Sequence, residues 1–227
     1  MAKVFVIADL CSNLFPFGET RLNRLIELVS LSGADSVKVQ VFTRSHFPKA
    51  ERESKRPYEF PRDALKQFVG RAQASNLKAG ASVFDEHAVD ACFEAGCDFL
   101  KIASREAYNM PLVHLALDTG LPVYTSFPWL VWRSLPDRST LCGETGLACI
   151  ASYPTLEWGG IGQAAEWFGE PWGWSSHTPH WEDVLRAVEL GATIIEKHIR
   201  FADSDPEAAW SLSFDGMKEM VNAIKAA

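Results

Sequence analysis

Eight short β-rich runs recur along the chain, roughly one every 25–30 residues, and stretches of helical periodicity alternate with them. The runs are 4–9 (VFVIAD), 36–41 (SVKVQV), 79–84 (AGASVF), 98–103 (DFLKIA), 121–126 (LPVYTS), 147–152 (LACIAS), 172–176 (WGWSS) and 192–198 (ATIIEKH). Between the first two, residues 19–32 place Leu22, Leu25, Ile26, Val29 and Leu31 mostly on one helical face. Residues 62–75, 86–95, 108–119, 181–190 and 214–226 have the same pattern, and 157–168 is a weaker helix interrupted by GGIG. Gly33, Gly96, Gly120 and Gly191 each stand at a helix end just before the next strand. SGAD, AGCD and LGAT mark the same junction three times.

Eight such units predict the α/β class and a single closed (β/α)8 TIM barrel. The rival is an open doubly wound sheet, but no GxGxxG or Walker loop follows any strand. No linker interrupts the pattern, so residues 1–227 are expected to form one barrel domain with no second domain. The longest irregular stretch, residues 43–61, is charged, contains proline and follows the second strand. In a barrel that position makes it an active-site loop.

A formal charge of −7 gives no global field favouring nucleic acid. No apolar stretch is long enough to span a bilayer. Five cysteines without a CxxC pair (Cys11, Cys92, Cys97, Cys142, Cys149) argue against a disulfide framework and fit a cytoplasmic protein.

Polar residues collect near the strand C-termini, where a barrel keeps its active site. Asp9 ends the first strand. Lys38 and Gln40 share one side of the second. Ser82, Lys101, Ser104, Ser126 and Ser175 follow on later strands, with Glu106 and Tyr153 just beyond two of them. Lysines inside apolar strands demand a partner, because an unpaired buried ammonium costs several kcal/mol. One reading is a structural ion pair with Asp9, Glu106 or Glu196. Another is an anionic ligand such as phosphate or carboxylate, and a third is a Schiff-base lysine.

His177 (GWSSHTPH) and His198 (TIIEKHIR) end the last two strands. Adjacent barrel strands would aim both rings at one point, as a divalent metal requires. The alternative is that each is simply hydrogen-bonded in place. His46, His87, His114 and His180 are expected on loops or helix surfaces, and the eight tryptophans are read as packing.

Over about residues 4–224 the chain resembles the sialic acid synthase family of phosphoenolpyruvate-dependent, aldol-type synthases. GADSVKVQVF, FLKIASREAYNMPLVHLALDTGLPV, GWSSHT and GATIIEKHI carry the likeness, in the family's order and spacing. The resemblance implies a divalent metal, usually manganese with magnesium or cobalt as alternatives, held by His177 and His198. It implies phosphoenolpyruvate held by Lys38, Ser82, Lys101, Ser104, Ser126 and Ser175. Lys38 and Lys101 would take part in catalysis, and Asp9 or Glu106 would orient water or shuttle protons. Asp9, Gln40, Tyr153 and Glu207 would face the acceptor aldehyde, and the product would be a 2-keto-3-deoxy sugar acid.

Departures from the family pattern cluster on the acceptor side. The opening EIG-x-NH-x-G motif reads DLCSNLFP, with the acid shortened to Asp9, Asn13 kept and Leu14 in place of the His. STGM reads SFPW, Ala151 stands where an amide often helps hold phosphate, and SDH reads SSH. Glu207 and Ala208 replace an Asp and a His. The chain ends at Ala227, so the family's C-terminal antifreeze-like domain is expected to be absent, and a homodimer is left open. Exchanging Glu and Asp moves carboxylate oxygens by about 1.5 Å, enough to change which substrate is well placed. The expected function is therefore condensation of phosphoenolpyruvate with a sugar-derived aldehyde other than N-acetylmannosamine. The alternatives are another metal-dependent lyase or isomerase on a small keto acid or phosphosugar, or a non-catalytic barrel that binds a sugar acid.

Overall fold

The computed structural model describes residues 3–128 and 143–227. Eight parallel strands close on themselves in sequence order: β1 (Phe5–Asp9), β2 (Ser36–Val41), β3 (Lys78–Val83), β4 (Phe99–Ile102), β5 (Val123–Pro128), β6 (Thr145–Cys149), β7 (Gly173–Ser176) and β8 (Ile194–His198). β8 pairs with β1, so no edge remains. The closed (β/α)8 barrel is the architecture expected from the sequence, and the doubly wound alternative is excluded.

The helices are α1 (Glu19–Ser32), α2 (Arg52–Lys55), α3 (Leu65–Ala74), α4 (Glu86–Ala95), α5 (Met110–Asp118), α6 (Ile161–Phe168), α7 (Glu182–Glu189) and α8 (Phe214–Ala226). Three begin later than periodicity suggests. Residues 62–64 form a 3-10 turn before α3. Pro111 in the first turn of α5 suits a helix start, so α5 begins at Met110. The glycine pair at 159–160 delays α6 to Ile161. Loop 43–61 is built from short turns around α2. At Gly33 and Gly96 the chain turns through φ of 83°, the left-handed conformation that lets a helix stop and feed the next strand.

Strand alternation divides the molecule into two environments. Outward residues such as Val37, Val39 and Val41 join Leu22, Leu25, Ile26 and Val29 of α1 and Met217, Met220 and Val221 of α8 in one continuous apolar shell. Each such side chain contributes about 1.5–3 kcal/mol by leaving water. Inside the barrel, Ile7, Phe99, Leu147 and Ile194 form a separate apolar floor, with Phe5 and Tyr124 against it. Two residues further along the same strands come Asp9, Lys101, Cys149 and Glu196. The interior is thus greasy at its N-terminal end and polar at its mouth.

The floor closes because Gly80 leaves room for Phe99: a Cβ there would lie 2.1 Å from the Phe99 ring. Gly80→Ala should lower stability by about 1–3 kcal/mol through overpacking. Gly70→Ala, on α3 with nothing within 4 Å of the added carbon, should be neutral or raise stability by up to about 1 kcal/mol. Thermal denaturation of the two variants checks both.

Candidate active site

A cavity of about 440 Å³ opens at the C-terminal ends of the strands. Loop 43–61 contributes Phe47 and Lys55 to its wall, which is the placement its position after β2 implied. Asp9, Lys38, Gln40, Ser82, Lys101 and Ser104 line it from the first half of the barrel. Ser126, Tyr153, Ser175, His177, His198 and Glu207 line it from the second. Of the predicted site residues, only Glu106 is absent from the wall. Its carboxylate accepts from Asn109 Nδ2 at 3.0 Å and faces Arg105 at 3.6 Å, so it is engaged in its own turn. The mouth carries a different acid, Glu196, which strand alternation places on the same face as His198.

The two lysines stand on β2 and β4, with β3 between them, and both are fully buried on the inner wall. Lys38 Nζ donates to Asp9 Oδ2 at 2.7 Å and to Ser82 Oγ at 2.7 Å. Lys101 Nζ donates to Ser126 Oγ at 2.6 Å and to the Ile102 carbonyl at 3.2 Å. Its carboxylate neighbour, Glu196 Oε2, is 3.7 Å away and accepts no hydrogen bond, while Glu196 Oε1 accepts from Ser175 Oγ at 3.0 Å. The two ammoniums are therefore unequal. Burial lowers the Lys38 pKa, but Asp9 and then Glu196 outweigh it and the value is raised. For Lys101, burial prevails, helped by the charge on Lys38, and the value is lowered. A second negative charge entering beside Lys101 would relieve this. An ammonium has three donors, so each lysine keeps capacity for a ligand beyond the partners named.

The imidazoles face each other across the mouth, with ring centroids 5.6 Å apart. His177 Nδ1 donates to the Ile150 carbonyl at 2.9 Å, and His198 Nδ1 donates to Glu207 Oε2 at 2.8 Å. Each ring is thereby oriented by its inner nitrogen, which leaves Nε2 as the free ligand atom. Burial, then the neighbouring His198, pushes the His177 pKa down to about 3, so this ring is neutral at physiological pH. Burial also opposes charge on His198, but Asp9 and Glu207 raise its pKa. The Tyr153 ring packs on His177 with centroids 4.3 Å apart and meets Trp210 edge-on. His87, His114 and His180 are exposed, as expected, and His46 sits on the loop with its ring stacked on Phe84.

Glu207 is held in place by Asn13, whose Oδ1 accepts from the Glu207 backbone N–H at 2.8 Å. Asn13 Nδ2 donates to the Ile199 carbonyl and Ser211 Oγ, which ties the loop after β1 to the loop after β8. Cys11 on the first loop donates from Sγ to Glu207 Oε1 at 2.9 Å. The sequence reading missed Cys11, and its signal was the departure from glycine in the opening motif. It also missed a third buried lysine, Lys197, which faces the helices and donates to Ser176 Oγ and the Thr178 carbonyl. Among the described residues all four cysteines are free and buried, and no helix is long and apolar enough to cross a membrane. Cys142, Trp129 and Trp132 lie outside the described residues.

The Glu207–His198 pair has a pH signature. Burial opposes ionisation of Glu207, but the His198 hydrogen bond and charge bring its pKa from 4.5 down to about 2. Its stabilisation is fully present above about pH 4.5 and is lost as pH falls through about 2, a contribution of order 3 kcal/mol. Glu207→Gln should flatten the stability profile across that window, as followed by chemical denaturation at successive pH values.

The NeuB family model matches residues 25–227 of this chain. A pseudaminic acid synthase of Helicobacter pylori is 30% identical over 229 residues, covering 88% of this chain and 67% of that protein. The crystal structure of an N-acetylneuraminic acid synthetase from Leptospira borgpetersenii, in complex with citrate, superposes with a TM-score of 0.86 at 25% identity. The match covers 99% of this chain and 83% of that one. A spore coat polysaccharide biosynthesis protein of Bacillus subtilis superposes with a TM-score of 0.79 at 27% identity, covering 99% of this chain and 68% of that one. With β2 through α8 inside the family match, the chain belongs to the NeuB family.

Proposed function

We propose that this barrel condenses phosphoenolpyruvate with the aldehyde of a sugar-derived acceptor, releasing phosphate and a 2-keto-3-deoxy sugar acid. The observation that carries the reading is the pairing of Lys38 with Ser82 and of Lys101 with Ser126 beside two imidazoles at one barrel mouth. Lysines backed by hydroxyls suit a doubly anionic ligand, and two imidazoles whose Nε2 atoms are not used in orienting the rings suit a cation. The relatives named as pseudaminic and N-acetylneuraminic acid synthases support the same class of reaction.

The residues present fit a divalent metal. Two imidazoles sharing an ion at about 2.1 Å place their ring centroids roughly 4.5–5.5 Å apart, close to the 5.6 Å found here. His177 and His198 would hold it, and the ion would supply Lewis acidity to the acceptor aldehyde. Lys38 and Lys101 bind the carboxylate and phosphate of phosphoenolpyruvate, with Ser82, Ser104, Ser126 and Ser175 supplying hydroxyls around it. Carbon 3 of phosphoenolpyruvate forms the new bond to the aldehyde carbon. A water then adds to carbon 2, and the carbon–oxygen bond to phosphate breaks. Asp9 Oδ2, next to Lys38 Nζ and 3.7 Å from His198 Nε2, is the carboxylate placed to take the water's proton. Glu106, engaged in its own turn, is not assigned that role.

Gln40, Tyr153 and Glu207 form the acceptor side. Glu207 Oε2 is occupied by the His198 ring, so it offers an acceptor sugar only its remaining lone pairs. The departures from the family pattern at Asp9, Leu14, Glu207 and Ala208 support an aldehyde other than N-acetylmannosamine.

Incubation with phosphoenolpyruvate, a divalent metal and a panel of aldoses should release inorganic phosphate in an acceptor-dependent manner. His198→Ala should abolish release. Lys101→Met should raise the KM for phosphoenolpyruvate at least about ten-fold, the scale expected for removing a charge-assisted contact. Absence of phosphate across a broad panel would contradict the reading.

A further inference from the structure

We propose that Cys11 is a thiolate ligand to the divalent ion at this mouth, joining His198 and making the site selective for thiophilic metals such as zinc, cobalt or iron(II) over manganese or magnesium. The proposal rests on the metal reading above and deepens it.

One ligand atom each from Asp9, Cys11 and His198 lies within 4.8 Å of the others, and all three residues are buried. Ligand bonds of about 2.0–2.3 Å allow a single ion to reach such a set. The thiol is aimed there by its surroundings. The Cys11 backbone N–H donates to Asp9 Oδ1 at 3.0 Å, and Sγ donates to Glu207 Oε1 at 2.9 Å, on the carboxylate that orients His198. Cys11 also holds φ at 40°, a left-handed conformation natural to glycine and costly for a side chain.

On coordination the S–H bond would break, a metal–sulfur bond would form, and the proton would leave to solvent by way of Glu207 Oε1, the present acceptor of the S–H hydrogen bond. A dication favours the thiolate over the thiol. Thiolate with imidazole is the donor set of zinc, cobalt and iron(II), whereas manganese and magnesium favour oxygen. On this proposal cobalt, already an alternative in the resemblance, is favoured over manganese.

The test is titration of the metal-free 227-residue chain with Co2+, read by the thiolate-to-cobalt charge-transfer absorbance and, separately, by the cobalt d–d bands. Cys11→Gly relieves the backbone and should fold at least as well as the natural chain, which a thermal melt confirms. The expected result is a charge-transfer band saturating at one ion per chain, absent in Cys11→Gly and retained in Cys149→Ser. Cobalt affinity should fall about ten-fold or more in Cys11→Gly, the lower end of what losing a site contact costs. Zn2+ should displace cobalt at far lower concentration than Mn2+ does. Saturable d–d bands without charge transfer would overturn the thiolate and leave the two-imidazole site standing. A band that survives in Cys11→Gly would also overturn it, and no cobalt binding at all would remove the metal reading together with this one.

Discussion

Asp9 and Lys38 meet at 2.7 Å in a space from which water is almost excluded, and the chemistry of the mouth is arranged around that contact. Burying either charge alone would cost several kcal/mol, and burying both recovers little net stability. The pair is therefore weak evidence for a structural role and better understood as a fixed dipole at the cavity floor. Its negative end faces His198 and its positive end faces Ser82 of β3.

The barrel makes this affordable only because the two ends of its interior differ. Phe99, Leu147 and Ile194 exclude water below, so the polar layer above them can be hydrated only from the mouth. Glu196 is then the balancing charge for Lys101, yet it leaves Oε2 without a hydrogen bond. An incompletely satisfied buried carboxylate beside a lysine is a feature that stability alone does not favour. It is consistent with a site whose electrostatics are completed by what binds there. The loop after β8 serves the same end, since Asn13 fixes Glu207 and Glu207 fixes the His198 ring.

Much of this was legible in the sequence because barrels are periodic. Eight strand–helix units predicted the closed sheet, and alternation on β2 placed Lys38 and Gln40 on one face. His177 and His198 were found because β7 and β8 are neighbours and both end in imidazole. Other features were hidden for physical reasons. Glu106 follows β4 in sequence, but a 3-10 turn carries it away from the mouth. Glu196 was recognised only as a counter-ion, although its spacing from His198 gives it the same inward direction. Cys11 sits in a loop whose left-handed backbone no hydrophobic pattern reveals. Lys197 lies on the opposite face of β8, where its partner is a carbonyl from the following loop rather than a residue on a strand.

The central claim is that an anion and a metal ion share this mouth. It is tested most directly by a crystal soaked with phosphoenolpyruvate and Co2+, with the metal located by its anomalous scattering. The account predicts the cobalt peak at bonding distance from Nε2 of both His177 and His198. It also predicts phosphoenolpyruvate oxygens within hydrogen-bond reach of Lys38 Nζ and Lys101 Nζ. A peak bonded to neither imidazole, or phosphoenolpyruvate seated away from both amines, would contradict it.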